Sequence, residues 1–202
     1  MVAKLVHTAE AIAGDNLIVC VVSDHGTLDN THNIFPNVLF AKAGLIKVNQ
    51  LGNITDWKVF SQRAGGISEV RLAPTTTDEE RQKVEQILAG LVADDESGIF
   101  AVLDNEEAQE RGGFPEADYI LIAKKGYEIR DEADGDYMRT ELAQKAQHGY
   151  NEEYPEMRAS FFIKGPAIKA QELDTVRLID VAPTLAACMG VALPDAEGIN
   201  LL

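Results

Sequence analysis

Basic residues are scarce in this chain, where 18 Lys and Arg face 33 Asp and Glu for a formal charge of −15. Such a surface repels nucleic-acid phosphates and anionic membranes, so neither is an expected partner. Cysteine is scarcer still. The two present, Cys20 and Cys188, sit inside apolar stretches without ligand or disulfide spacing, which excludes a zinc knuckle and a disulfide framework and leaves them as small core residues. Long apolar runs are missing too, none approaching the roughly 18 residues of a membrane span. What remains is a chain of 202 residues, 46% hydrophobic, with ample apolar material for a core and no internal repeat or low-complexity segment.

The most informative stretch is Leu17–Gly26, Leu-Ile-Val-Cys-Val-Val-Ser-Asp-His-Gly. Six uninterrupted apolar residues, four of them β-branched, that stop at small polar residues predict a strand buried on both faces of a parallel sheet. The carboxyl ends of such strands are where α/β folds bind ligands. Asp24 and His25 stand there, a hard oxygen donor beside an imidazole, which is a pair that most divalent metals accept. Gly26 allows the sharp turn that lets both side chains converge. A polar turn with His25 merely hydrogen-bonded fits the dipeptide equally well.

In chain order, Val2, Leu5, Val6, Ala9, Ile12 and Ala13 mark one face of a helix over 2–13, stopped by Gly14-Asp15-Asn16. It has no N-cap residue, so the natural polypeptide is expected to extend upstream. His7 lies off the apolar face and reads as solvated. Residues 27–37 form a loop in which Thr27 is a turn residue and His32 a surface side chain, with Asn33 and Asn37 structural rather than substrate-binding. Pro36 opens a short helix to about Ala43. Leu45–Val48, Trp57–Phe60 and Ile67–Leu72 predict strands, with Gly65-Gly66 as a turn. Thr77 and Glu80 form a capping box for a helix over 78–93 with a Val84, Ile87, Leu88, Leu91, Val92 stripe. Ile99–Leu103 hands over at Asp104 to a short acidic helix, Tyr119–Ala123 is a strand, and Asp131–Asp136 a solvated loop. Gln147-His148-Gly149-Tyr150 and Pro155-Glu156-Met157-Arg158-Ala159 follow, then a strand over 160–164 closing in Gly165-Pro166. A last helix is expected to be N-capped by Asp180, with Pro183 in its first turn and Gly190 at its end.

Ser-Asp-His-Gly at a strand end, then His-Gly-Tyr, Pro-Glu-Met-Arg-Ala, Gly-Pro and Ile-Asp-Val-Ala-Pro-Thr-Leu-Ala resemble, in this order, the type I phosphodiesterase/nucleotide pyrophosphatase branch of the alkaline phosphatase superfamily. The resemblance is most specific over 17–26 and 147–198. It implies an α/β fold, a three-layer sandwich around a mixed sheet, with two zinc ions at the carboxyl ends of its strands. Asp24 and His25 match the residues that hold one metal, and His148 matches a ligand of the other. Phosphoesters are the substrates that it implies.

Two of the family's elements are missing. One is a metal-binding Asp followed by the Thr or Ser nucleophile; the other is an Asp-x-x-x-His pair, since Ala3, Val21, Leu28 and Gln144 stand four residues before the four histidines. Both lie upstream of Ser-Asp-His-Gly in the family's order. Residues 1–202 are therefore expected to form one partial domain, the C-terminal half of the sandwich, without a catalytic nucleophile of its own. Each zinc of a hydrolytic site takes three or more protein ligands, whereas only Asp24, His25 and His148 are available. The isolated chain is expected to be inactive and to bind metal weakly, with the His148 loop loosely held. Other superfamily reactions, by a phosphomonoesterase, sulfatase or phosphomutase, and a non-catalytic binding domain are the alternatives.

Overall fold

Local signals in the sequence set most element boundaries in the computed structural model, which describes residues 1–142 and 144–202. The order is α1 (Val2–Ala13), β1 (Val19–Val22), β2 (Leu28–Asp29), β3 (His32–Ile34), α2 (Pro36–Lys42), β4 (Ile46–Val48), β5 (Ile54–Trp57), β6 (Val59–Ala64), β7 (Ile67–Leu72), α3 (Asp78–Ala93), β8 (Ile99–Asp104) and α4 (Asn105–Glu110). There follow β9 (Tyr119–Ala123), β10 (Tyr127–Ile129), β11 (Met138–Arg139), β12 (Ala146–Gln147), β13 (Phe161–Lys164) and α5 (Val181–Cys188). Among the described residues no helix is long and apolar enough to cross a membrane. The chain forms two compact units, Thr27–Arg158 and the pair of segments Met1–Gly26 and Ala159–Leu202.

In Thr27–Arg158 the main sheet is antiparallel with strand order β6-β7-β9-β8. Its interior strand β9 is Tyr-Ile-Leu-Ile-Ala, and the last four of those residues are buried. A strand with neighbours on both edges and cover on both faces selects for this continuous apolar composition. Helix α3 opens with the expected capping box, Thr77 Oγ1 accepting from the Glu80 amide and Glu80 Oε2 from the Thr77 amide. It packs against β8 and buries Val84, Leu88 and Leu91, whereas Val92 at the edge of the predicted stripe stays exposed. These side chains join Ile34, Phe40, Val70, Leu121 and Ile129 in one core. A second layer of pairing runs β10-β3-β11, parallel between β10 and β3 and antiparallel between β3 and β11.

The other unit corrects one expectation. The run Leu17–Val22 is not a strand buried in a parallel sheet: β1 pairs antiparallel with β13, Val19 opposite Lys164 and Val22 opposite Phe161, and Val21 and Val22 are exposed. Hydropathy records which side chains favour cover, not which segment supplies it. At the other end of the unit, Asp180 stands at the N-cap position of α5 but its side chain does not cap that helix. It is buried, and accepts instead from the amides of Ile199 (2.9 Å) and Arg177 (3.1 Å) and from the Arg177 guanidinium (3.1 Å).

Those bonds, led by the one from Ile199, hold the Asp180 carboxyl below the usual carboxylate range. A group whose folded pKa is lowered stabilises fully above its unfolded value near ~3.9 and loses that contribution as pH falls through the folded value. Asp180→Asn is thus expected to lower the hydrogen-exchange protection of the Ile199 amide at pH 7. The gap between native and variant should narrow at about pH 3. Equal gaps at both pH values would refute the charged role.

Candidate functional site

Strand β1 delivers Ser23, Asp24 and His25 at its carboxyl end. Ser23 is fixed in the backbone ladder, its amide donating to the Ser160 carbonyl (3.0 Å) and its Oγ accepting from the Ser160 amide (2.8 Å). Asp24 Oδ1 accepts from the His25 amide at 3.0 Å. His25 Nδ1 lies 2.8 Å from the Gly26 carbonyl. A carbonyl only accepts, so Nδ1 carries the proton and, in the neutral ring, Nε2 keeps its lone pair. Metal-ligating histidines are commonly oriented in this manner.

Nε2 is 3.3 Å from Asp24 Oδ2. Two donors bound at about 2.0–2.1 Å to one tetrahedral ion stand about 3.3–3.4 Å apart, so this spacing fits a shared cation. It equally fits an ion pair with a protonated imidazole. The Asp24 side chain is largely exposed, which leaves the corner open to further donors.

His148 belongs to the other unit. It follows β12, whose Ala146 and Gln147 pair antiparallel with Asp29 and Leu28 of β2. Its side chain is exposed, but its backbone is held on both sides. The amide donates to Gln147 Oε1 (3.1 Å), and the carbonyl accepts from the Gly66 amide (2.7 Å) in the β6–β7 turn. A Cβ at Gly65 would lie 2.4 Å from that carbonyl oxygen, so the contact requires glycine there. The backbone of His148 is thus tied to a turn of the same unit, whereas the sequence suggests no partner for this loop.

Among the described residues no group of three or more His, Cys, Asp or Glu side chains is placed to hold a metal ion. His7 is exposed on α1, as expected. His32 is not a plain surface residue: its ring stacks on Tyr127 at 5.1 Å and its Nδ1 meets Thr31 Oγ1 at 2.9 Å. Asn37 is structural, with Nδ2 donating to the Ser61 and Asp131 carbonyls and Oδ1 accepting from the Ser61 amide. Asn33 Nδ2 likewise donates to the Glu141 carbonyl. Sequence reasoning passes over Glu128, which is fully buried in β10 with partners far away in the chain. Only a carboxylate between Tyr127 and Ile129 in an otherwise apolar strand hints at it.

The sequence matches the model of the family described as type I phosphodiesterase/nucleotide pyrophosphatase over residues 1–151. No curated protein matches it. Among solved structures, the chain is similar to human ectonucleotide pyrophosphatase/phosphodiesterase 5 at 15% identity and a TM-score of 0.64, over 97% of this chain and 47% of that one. The murine counterpart gives 18% identity and a TM-score of 0.66, over 98% of this chain and 47% of that one. An inactive variant of the murine protein in complex with AMP gives the same identity and TM-score, over 98% and 46%. The chain spans just under half the length of these structures, and its fold is a mixed α/β fold similar to theirs. Matched by the family model over residues 1–151 of 202, the chain belongs to the type I phosphodiesterase/nucleotide pyrophosphatase family.

Proposed function

We propose that this chain is the C-terminal portion of a zinc-dependent phosphodiester hydrolase, one partial alkaline phosphatase-like domain, with Asp24 and His25 holding one ion and His148 a second. The observation that carries the metal reading is the 3.3 Å spacing of His25 Nε2 and Asp24 Oδ2 with Nδ1 tied to the Gly26 carbonyl. Bound zinc would supply Lewis acidity toward a phosphoryl group and lower the pKa of a nucleophile. The chain's own residues do the holding. The Gly26 carbonyl fixes the His25 tautomer, the Ser23–Ser160 bonds fix the strand end, and the Gly66 amide fixes His148. Ser23 Oγ is engaged with the Ser160 amide and serves the strand end.

Two observations support the partial-domain reading. Helix α1 buries no residue, leaving Leu5 and Ile12 66% and 83% exposed, and among the described residues β1 has a strand partner on one edge only. Both are surfaces that further polypeptide would cover. The solved structures that resemble the chain contain about twice its length.

The purified chain is expected to hydrolyse a p-nitrophenyl phosphodiester at the background rate. In a zinc titration followed by imidazole NMR, the His25 and His148 signals should both move, with weak affinity, since among the described residues no three His, Cys, Asp or Glu side chains gather to hold an ion. Turnover abolished by His25→Ala would overturn the partial-domain reading. Unmoved imidazole signals at millimolar zinc would overturn the metal reading.

A further inference from the structure

Glu128 is a fully buried carboxylate at the centre of the short strand β10, opposite Asn33 of β3. Burying a charge is costly unless it is neutralised and hydrogen-bonded, and an apolar residue would fill such a position more cheaply. The charge is answered by Arg130, whose guanidinium is 3.3 Å from Oε1, and by Arg63 at 3.9 Å. What the carboxylate does beyond this is shown by its other two partners. Oε2 accepts from Asn30 Nδ2 at 2.9 Å, and Asn30 Oδ1 in turn accepts from the Tyr150 hydroxyl at 2.7 Å. Oε1 takes a longer bond from Gln147 Nε2 at 3.4 Å, and Gln147 Oε1 accepts from the His148 amide at 3.1 Å. Asn30 also binds the carbonyls of Gln144 and Lys145. One arm therefore ends just before His148 and the other two residues after it.

We infer that Glu128 is a positioning residue for His148, gripping the segment on both sides of it through Gln147 and through Asn30 and Tyr150. The inference rests on the reading of His148 as a functional side chain, but its geometry does not involve metal. Burial, followed by the nearby Glu128 charge, pushes the Tyr150 phenol up to about 12, so Tyr150 remains a donor to Asn30 at physiological pH.

The arrangement depends on donor and acceptor count. Both carboxylate oxygens of Glu128 accept, and every partner donates to them. Glu128→Gln has nearly the same shape but sets an NH2 group against a donor in either orientation, unless Asn30 turns over and gives up Gln144. In the double variant Glu128→Gln with Asn30→Asp, acid and amide exchange places and one donor again faces one acceptor between the two side chains, while the Gln144 carbonyl loses its donor.

The test reads three things in the full chain: hydrogen exchange of the Gly66 amide, which donates to the His148 carbonyl; the backbone order parameter of His148; and exchange of the Leu121 amide as a core reference. In Glu128→Gln, Gly66 exchange is expected to rise about three- to tenfold relative to Leu121, as for loss of one or two hydrogen bonds. The His148 order parameter should fall from about 0.85 toward 0.6. The double variant should recover part of both changes. Gln147→Ala, which cuts one arm without touching the buried charge, should give a smaller effect of the same kind and keeps the test available if Glu128→Gln folds poorly. Unchanged Gly66 exchange and His148 order in Glu128→Gln and Gln147→Ala would overturn the inference. So would an equal rise at Gly66 and Leu121 without rescue, the mark of a general stabiliser. If His148 loosens in Glu128→Gln but never responds to zinc in the native chain, positioning stands and the metal reading fails.

Discussion

Gly65→Ala is expected to destabilise the Thr27–Arg158 unit by roughly 2–4 kcal/mol and to release His148 from the β6–β7 turn. Gly65 has φ +83°, in the left-handed region where a side chain is strained, and it is the first of two residues linking the paired Ala64 and Ile67. Two-residue hairpin links favour this conformation, and Gly-Gly satisfies it without cost in sterics. A methyl group adds a second problem, since it would lie 2.4 Å from the His148 carbonyl oxygen and 2.9 Å from Gln147 Cγ. The oxygen belongs to the backbone, and the turn has little freedom to retreat, because the Gly65 carbonyl also accepts from the Ile129 amide. His148 must therefore move.

Gly112→Ala separates the two contributions. Gly112 has φ +71°, but a methyl group there would meet nothing within 4 Å, so it carries the backbone strain without the collision. Urea denaturation should place its cost near ~1 kcal/mol, well below that of Gly65→Ala. The Gly65 variant alone should shift the His148 imidazole NMR signal. Equal destabilisation by the two substitutions would show that no close contact exists between Gly65 and His148.

The turn at Gly65-Gly66 is legible in the sequence, as are the ends of α1, the capping box of α3, Pro36 at the start of α2 and the step from β8 into α4 at Asp104. Each is written in residues within a few positions of one another, and each acts through local backbone bonds or dihedral limits. The environment of β1 is not legible. Its apolar run and that of β9 look alike, but only β9 has strands on both sides and cover on both faces. The site divides in the same way. Asp24 and His25 are adjacent and their geometry is local, so their types and spacing suggest the corner. The grip on His148 depends on Gly65, Asn30 and Glu128, brought together from separate parts of the chain by pairing of β2 with β12 and β10 with β3. No periodicity records such a meeting, and Asp180 misleads for a related reason: its partner Ile199 lies 19 residues on.

Thr27–Arg158 expressed alone is expected to unfold cooperatively, with a stability within about 1 kcal/mol of the same unit in the full chain. Among the described residues every buried apolar side chain belongs to this unit, from Leu28 to Tyr150. Met1–Gly26 and Ala159–Leu202 bury only Asp180 and Thr184. Stability follows apolar area removed from water at roughly 25 cal/mol per Å², so nearly all of it resides in Thr27–Arg158. The two-stranded ladder β1–β13 is of a kind that is marginal in water by itself. In hydrogen exchange, amides of Val19–Val22 and Phe161–Lys164 should open orders of magnitude more readily than those of Tyr119–Ala123. The Asp24–His25 corner would then stand on the less stable of the two units, and a firm metal site would require the exposed faces of α1 and β1 to be covered. Ladder amides protected as strongly as those of β9, or an excised Thr27–Arg158 that fails to fold, would overturn this distribution of stability and leave the donor count as the sole reason for expecting weak metal binding in the isolated chain.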